Sequence, residues 1–213
     1  MEVGGTKGTL FVARLAQLVG FDMPILEGHH QVMATTVRKL TTADYEKIPA
    51  DGFRHEIIDG EEFMTPAPNL DHQRVVVKLT TLLENHVASK NLGRVFVSPT
   101  DVILSRHDIV EPDVVFVSEK RFGILTEKNI QGAPDLVIEV LSPSTQAEDR
   151  GNKLTLYQGS GIAEYWIVDP PSKTVEIREF GATRRTRVYK EGQSFESAVL
   201  AGLTVHLSDV FST

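Results

Sequence analysis

From Asp71 to Val87 the apolar residues Val75, Val76, Leu79, Leu82, Leu83 and Val87 recur at three- and four-residue steps. That stripe predicts one long amphipathic helix, with Gly93 just beyond it as a stop. Around it the apolar positions form short β-branched or aromatic runs, which predict strands. They are "RVFVSP" (94–99), "DVILS" (101–105), "PDVVFVS" (112–118), "PDLVIEVL" (134–141) and "AEYWIVDP" (163–170). "FRHEIIDGEEFM" (53–64) alternates about Asp59-Gly60, a pair suited to the positive φ of a tight hairpin turn. "TVEIREF" and "TRVYK" predict a second hairpin near the C-terminus, and "LTVHLSDVF" a closing strand and turn.

Two shorter helices complete the reading. Thr41 or Thr42 caps one that runs through Lys47 and stops at Pro49. Thr145 and Glu148 have the spacing of a capping box for another, reaching Tyr157 before Gly159 and Gly161. Hairpin, helix, strands, helix, strand is the order of an α/β or α+β domain with a mixed central sheet flanked by helices. Residues 1–32 carry only weak periodicity and end in the polar run Glu27–Gln31, whereas the pattern starts afresh at Met33. They are expected to be an N-terminal appendage to a single domain spanning 33–213, or an upstream extension of the reading frame.

Composition narrows the function classes. The chain has 213 residues, 41% hydrophobic and 24% charged, the balance of a globular protein. It contains no cysteine, which excludes disulfides, zinc-thiolate and iron–sulfur sites and thiol nucleophiles, and is compatible with a cytoplasmic location. A net charge of −7 argues against broad electrostatic coating of nucleic acid but not against one local phosphate site. No apolar run reaches the ~20 residues of a membrane span, and Leu10–Phe21 is interrupted by Arg14, so no membrane partner is expected.

One residue breaks the pattern. Glu139 sits inside the apolar run 136–141, and a carboxylate is costly to bury unless paired, protonated or bound to metal. Asp113 opens another apolar strand. If the two strands are neighbours, both carboxylates converge on one divalent cation, and hard oxygen donors suit Mg²⁺ or Mn²⁺. Lys153, in the following helix, adds the cation that phosphodiester hydrolysis needs to orient water and offset charge on phosphorus.

The segments "RHEIIDGEE" (54–62), "EPDVVFV" (111–117), "PDLVIEVLSPST" (134–145), Asp149–Lys153–Tyr157 and "GIAEYWIVDP" (161–170), in that order, resemble the Uma-two family of restriction endonuclease-like proteins within the PD-(D/E)XK nuclease superfamily. The resemblance runs from about Lys39 to Val210. It implies a restriction endonuclease-like fold and a metal-dependent endonuclease acting on nucleic acid, with DNA the expected substrate. Asp113 and Glu139 would be the metal-binding acids, the Val140 carbonyl a further ligand, and Glu56 another acidic member of the site. The position two after Glu139 is Leu141 rather than lysine, so the lysine role passes to Lys153.

Plainer readings compete with these. Asp113 and Asp135 each follow a proline and could close loops through backbone hydrogen bonds. Glu56 could be an ordinary hairpin residue, His72 a helix N-terminal hydrogen-bonding residue, and Asp149–Lys153 a helix-surface ion pair. "RRTR" (184–187) reads as a solvated hairpin end, and neither "GGTKGT" nor "QGSG" has the context of a phosphate loop or nucleophile elbow. A nuclease-fold module without turnover is the main alternative function. Glycoside hydrolysis by Asp113 and Glu139 is disfavoured by the nearby lysine. A homodimer is expected, since two sites related by a two-fold axis match two antiparallel strands.

Overall fold

The computed structural model describes residues 38–212, so the expected appendage at 1–32 lies outside them. Helix α1 (Thr42–Tyr45) is capped at Thr41, whose N–H and hydroxyl both donate to Asp44. Strands β1 (Arg54–Ile58) and β2 (Glu61–Thr65) form the predicted hairpin, with Asp59 and Gly60 at φ 50° and 78°. Helix α2 (Leu70–Lys90) buries Val75, Leu79, Leu83 and Val87, the predicted stripe. It ends at Asn91 in the left-handed conformation, and Gly93 instead opens β3 (Gly93–Val97). An asparagine tolerates that conformation well enough to end a helix without glycine.

The remaining strands are β4 (Val102–Ser105), β5 (Asp108–Val110), β6 (Val114–Ser118), β7 (Ile130–Gln131), β8 (Leu136–Val140), β9 (Glu164–Asp169), β10 (Thr174–Glu179), β11 (Arg185–Lys190), β12 (Ser194–Glu196) and β13 (Thr204–His206). They build a six-stranded sheet ordered β11-β10-β9-β8-β6-β3, a five-stranded sheet ordered β2-β1-β5-β4-β7, and the β12–β13 pair. Neither β5 nor β7 is visible as a hydrophobic run. Both are short and owe their form to the strands they pair with.

β8 and β9 are parallel and central, which explains why every residue of β8 is buried. Their alternate residues face two cores. Ile138, Val140, Trp166 and Val168 pack with α2 and the short terminal helix α5 (Leu207–Phe211). Val137, Leu141, Tyr165 and Ile167 pack instead with Ile58, Val102, Val110 and Tyr157. The crossover from β8 to β9 was expected to be one helix capped at Thr145. It is two, α3 (Gln146–Arg150) and α4 (Asn152–Ser160), broken at Gly151. A Cβ at Gly151 would lie 2.8 Å from the Ala147 carbonyl oxygen, so the break needs glycine there.

Candidate functional site

β6 and β8 are antiparallel neighbours, with Val114 opposite Ile138. Continuing that register by one residue sets Asp113 opposite Glu139, on the same face as Val115 and Val137. The Asp113 carboxylate spans the gap: its Oδ2 accepts the Val140 N–H at 2.8 Å and lies 3.1 Å from Nε2 of His72. Its Oδ1 accepts from Arg54 at 2.9 Å. The plain reading of Asp113 as a backbone-bonding loop residue is thus part of the structure, but it is also buried beside a second carboxylate. Asp135 has the plain role, accepting the Ser118 N–H at 2.7 Å, and its other oxygen lies 3.7 Å from Arg121.

Glu139 is met from the helical side. Nζ of Lys153 lies 3.1 Å from its Oε1, and the Tyr157 hydroxyl donates to the same oxygen at 2.7 Å. Among the described residues, no hydrogen bond lands on its Oε2. Lys153 also lies 2.8 Å from Oε2 of Glu56 and 3.5 Å from Oδ1 of Asp149. Glu56 reaches in from β1, and its Oε1 accepts the Glu111 N–H at 2.8 Å. The Asp149–Lys153 pair is therefore not a surface ion pair: about 1% of each side chain is exposed, and the Gly151 break turns α4 so that Lys153 points inward.

Sequence reasoning gave no role to Arg54 or Tyr165. Arg54 shares the inward face of β1 with Glu56, two residues on, and that alternation was the available signal. The Tyr165 hydroxyl donates to the Asp149 carbonyl at 3.0 Å and its ring meets Tyr157 edge-on at 5.0 Å, fixing α3 and α4 to the sheet.

The charges are unbalanced. Glu56, Asp113, Glu139 and Asp149 are buried carboxylates, while Arg54 and Lys153 are the fixed cations among them. Burial pushes Glu139 up to about 8, with Asp149, Asp113 and Glu56 adding to it against the pull of Lys153. Burial raises Asp149 too. Burial works in the same direction on Asp113, but His72, Arg54 and the Val140 N–H outweigh it and hold that carboxyl below its ordinary value. Burial opposes charge on Lys153, yet Glu139, Glu56 and Asp149 overcome it and raise its pKa, so the ammonium stays protonated.

With all four carboxylates ionised, the two cations leave two negative charges, which one divalent metal ion would neutralise; without such an ion the surplus is relieved by the raised pKa of Glu139 and Asp149. Among the described residues no three His, Asp or Glu side chains converge as a ready metal cluster. The fitting donor set is smaller: Asp113, Glu139 and the Val140 carbonyl, all hard oxygens. In an extended strand a residue's C=O points the same way as its N–H. The Val140 N–H points at Asp113, so its carbonyl faces that side as well. A hollow of about 190 Å³, bordered by Glu56, Phe63, Thr65, Ser144, Thr145 and Lys153, reaches the Glu56–Lys153 side of the cluster, while Asp113 and Glu139 lie behind its lining.

Comparison with known proteins agrees with this architecture. The profile of the Uma2 family, described as "Putative restriction endonuclease", matches residues 42–208. An uncharacterized protein of Synechocystis sp. (slr1290) is 31% identical over 128 residues, which are 58% of this chain and 65% of that protein. The match thus spans just under two thirds of that relative's length. A crystal structure from Anabaena variabilis, described as "a putative nuclease belonging to DUF820", superimposes with a TM-score of 0.70 at 23% identity, covering 81% of this chain and 98% of that one. That likeness shows a shared restriction endonuclease-like fold.

Proposed function

This chain belongs to the Uma2 family, and from that premise we propose that it is a metal-dependent endonuclease hydrolysing phosphodiester bonds of nucleic acid, with DNA as substrate. The observation carrying the reading is the meeting of Asp113, Glu139 and Lys153 in a buried site with surplus negative charge. Asp113, Glu139 and the Val140 carbonyl would hold Mg²⁺ or Mn²⁺, which when bound supplies Lewis-acid stabilisation of charge on phosphoryl oxygens.

The protein's own groups do the rest. Lys153 keeps its proton, so it acts as a hydrogen-bond donor and positive charge rather than as a base. Its Nζ orients the attacking water in line with the leaving oxygen and offsets charge as the pentacovalent phosphorus forms. Three carboxylates surround its Nζ, with a hydrogen bond to Glu139, and the longest contact, 3.5 Å to an Asp149 Oδ1 that accepts no hydrogen bond, is the one a substrate oxygen would replace. Glu56 holds the ammonium from the β1 side, and Tyr157 holds Glu139. Two copies of the site in a homodimer would face antiparallel strands.

One observation favours the second reading, a nuclease-fold module without turnover. Both oxygens of Asp113 are already engaged by Arg54, His72 and the Val140 N–H. Nicking of supercoiled plasmid in Mn²⁺ separates the two. The enzyme reading expects nicking by the wild type that is lost with EDTA and in Glu139→Ala. No nicking by pure wild-type protein, together with no metal uptake, would leave the silent module.

A further inference from the structure

Arg54 is the cation on the Asp113 side of the site, as Lys153 is on the Glu139 side. Its NH1 donates to Oδ1 of Asp113 at 2.9 Å and to the Glu111 carbonyl at 3.1 Å. Among the described residues, Arg54 is the sole hydrogen-bond partner of Oδ1, whereas Oδ2 is held by both the Val140 N–H and His72. Oδ1 is therefore the less engaged oxygen for a metal ion bound through Asp113, and there the ion's charge repels the guanidinium and competes with Arg54 for the carboxylate. The guanidinium is not sealed in: 16% of the side chain is exposed, against 4% for Asp113. It would be left charged at the edge of the site, and its planar fork of donors matches a phosphate group.

We infer that Arg54 is a phosphate-binding arm, stored on Asp113 in the metal-free protein and released to a nucleic-acid backbone phosphate when a divalent cation takes that carboxylate. This rests on the metal-dependent nuclease reading and adds a coupling to it. In a chain of net charge −7, the cations at the site are otherwise spent on carboxylates. Metal loading turns one of them toward the substrate, so metal and nucleic acid favour each other's binding, and by linkage the effect is reciprocal. A merely structural Arg54 would support both ligands. A stored arm competes with the metal and helps the nucleic acid, so its removal moves the two affinities in opposite directions.

The experiment titrates Mn²⁺ by calorimetry into the wild type, Arg54→Gln, Arg54→Lys and Glu139→Ala. Binding of a short fluorescein-labelled DNA duplex is read by anisotropy in EDTA and in Ca²⁺, a hard cation that takes the same oxygen donors. Arg54→Gln should bind Mn²⁺ roughly tenfold tighter, the worth of one charge-assisted hydrogen bond no longer displaced. Its DNA affinity should fall roughly tenfold in Ca²⁺ and stay near wild type in EDTA. Arg54→Lys keeps the charge and loses the fork, so DNA affinity in Ca²⁺ should fall while Mn²⁺ affinity holds. If Arg54→Gln does not fold, the lysine variant decides, and unchanged DNA affinity there overturns the arm. Equal or weaker Mn²⁺ binding by folded Arg54→Gln, or equal DNA loss in both buffers, overturns it while wild-type Mn²⁺ uptake leaves the nuclease reading standing. A wild type that takes up no Mn²⁺ sinks both.

Discussion

Lys153 and Glu139 lie fourteen residues apart in the chain and 3.1 Å apart in space, Nζ to Oε1, with about 1% of either side chain exposed. The contact crosses from the second crossover helix to the central strand, and it exists because Gly151 breaks the crossover in two. It places a permanently protonated amine against a carboxyl that burial makes reluctant to ionise.

That reluctance has a pH signature. Glu139 is raised from 4.5 to about 8 in the folded chain, so between those values the folded state binds more protons than the unfolded one. Stability therefore falls as pH rises through this window and levels off above it. Asp149 shifts in the same direction and adds to the fall. Asp113 runs the other way: its contribution is present above 3.8 and is lost as pH drops through its lower folded value. Thermal melts in EDTA should show the melting temperature decreasing from about pH 5 to pH 8. A melting temperature that climbs across this range would contradict the assignment.

Tyr157→Phe removes the hydroxyl that donates to Glu139 and leaves the ring's edge contact with Tyr165 in place. Because the acceptor is a fully buried carboxyl, the loss should cost about 1.5–3 kcal/mol. Urea unfolding monitored by fluorescence measures this. A change under about 0.5 kcal/mol would mean that Tyr157 does not hold the carboxylate.

Glu164 is the counter-case. It is as buried as Glu139, but Trp166 Nε1 donates to its Oε1 at 2.8 Å, and the Ser197 hydroxyl and Val199 N–H donate to its Oε2 at 2.8 and 3.0 Å. It ties the central sheet to the loop after β12. Glu164→Ala leaves the Trp166 and Ser197 donors without their acceptor, while the Val199 N–H keeps the Ser197 hydroxyl, and should cost about 3–5 kcal/mol. Folded variant protein should still take up Mn²⁺ like the wild type, and calorimetry that shows lost metal binding would place Glu164 in the functional site after all.

The contrast between these two glutamates marks how far the sequence could be read. The stripe of α2, the Asp59-Gly60 hairpin and the apolar runs of β6, β8 and β9 were legible because each is a local periodicity. Asp113 and Glu139 were legible because charge interrupts such a run. The same rule would have singled out Glu164 in "AEYWIVDP", whose partners Ser197 and Val199 lie some 33 and 35 residues on and leave no local trace. Asp149 and Lys153 have a spacing identical to that of a solvated ion pair, so only the packing of α4 against the sheet reveals their burial. Arg54 was hidden for a related reason: an arginine at a strand's start is ordinary until the strand opposite is known.

The central claim is that Lys153 serves phosphodiester hydrolysis while Asp113 and Glu139 hold the metal. It is tested most directly by the rate of supercoiled-plasmid nicking by Lys153→Ala at a Mn²⁺ concentration shown by calorimetry to saturate it. The variant should bind Mn²⁺ at least as tightly as the wild type, because a nearby positive charge has been removed. Its nicking rate should fall by roughly 10²–10³-fold, the cost of losing one preorganised donor at a developing charge. A metal-loaded Lys153→Ala protein that nicks at the wild-type rate would contradict the account.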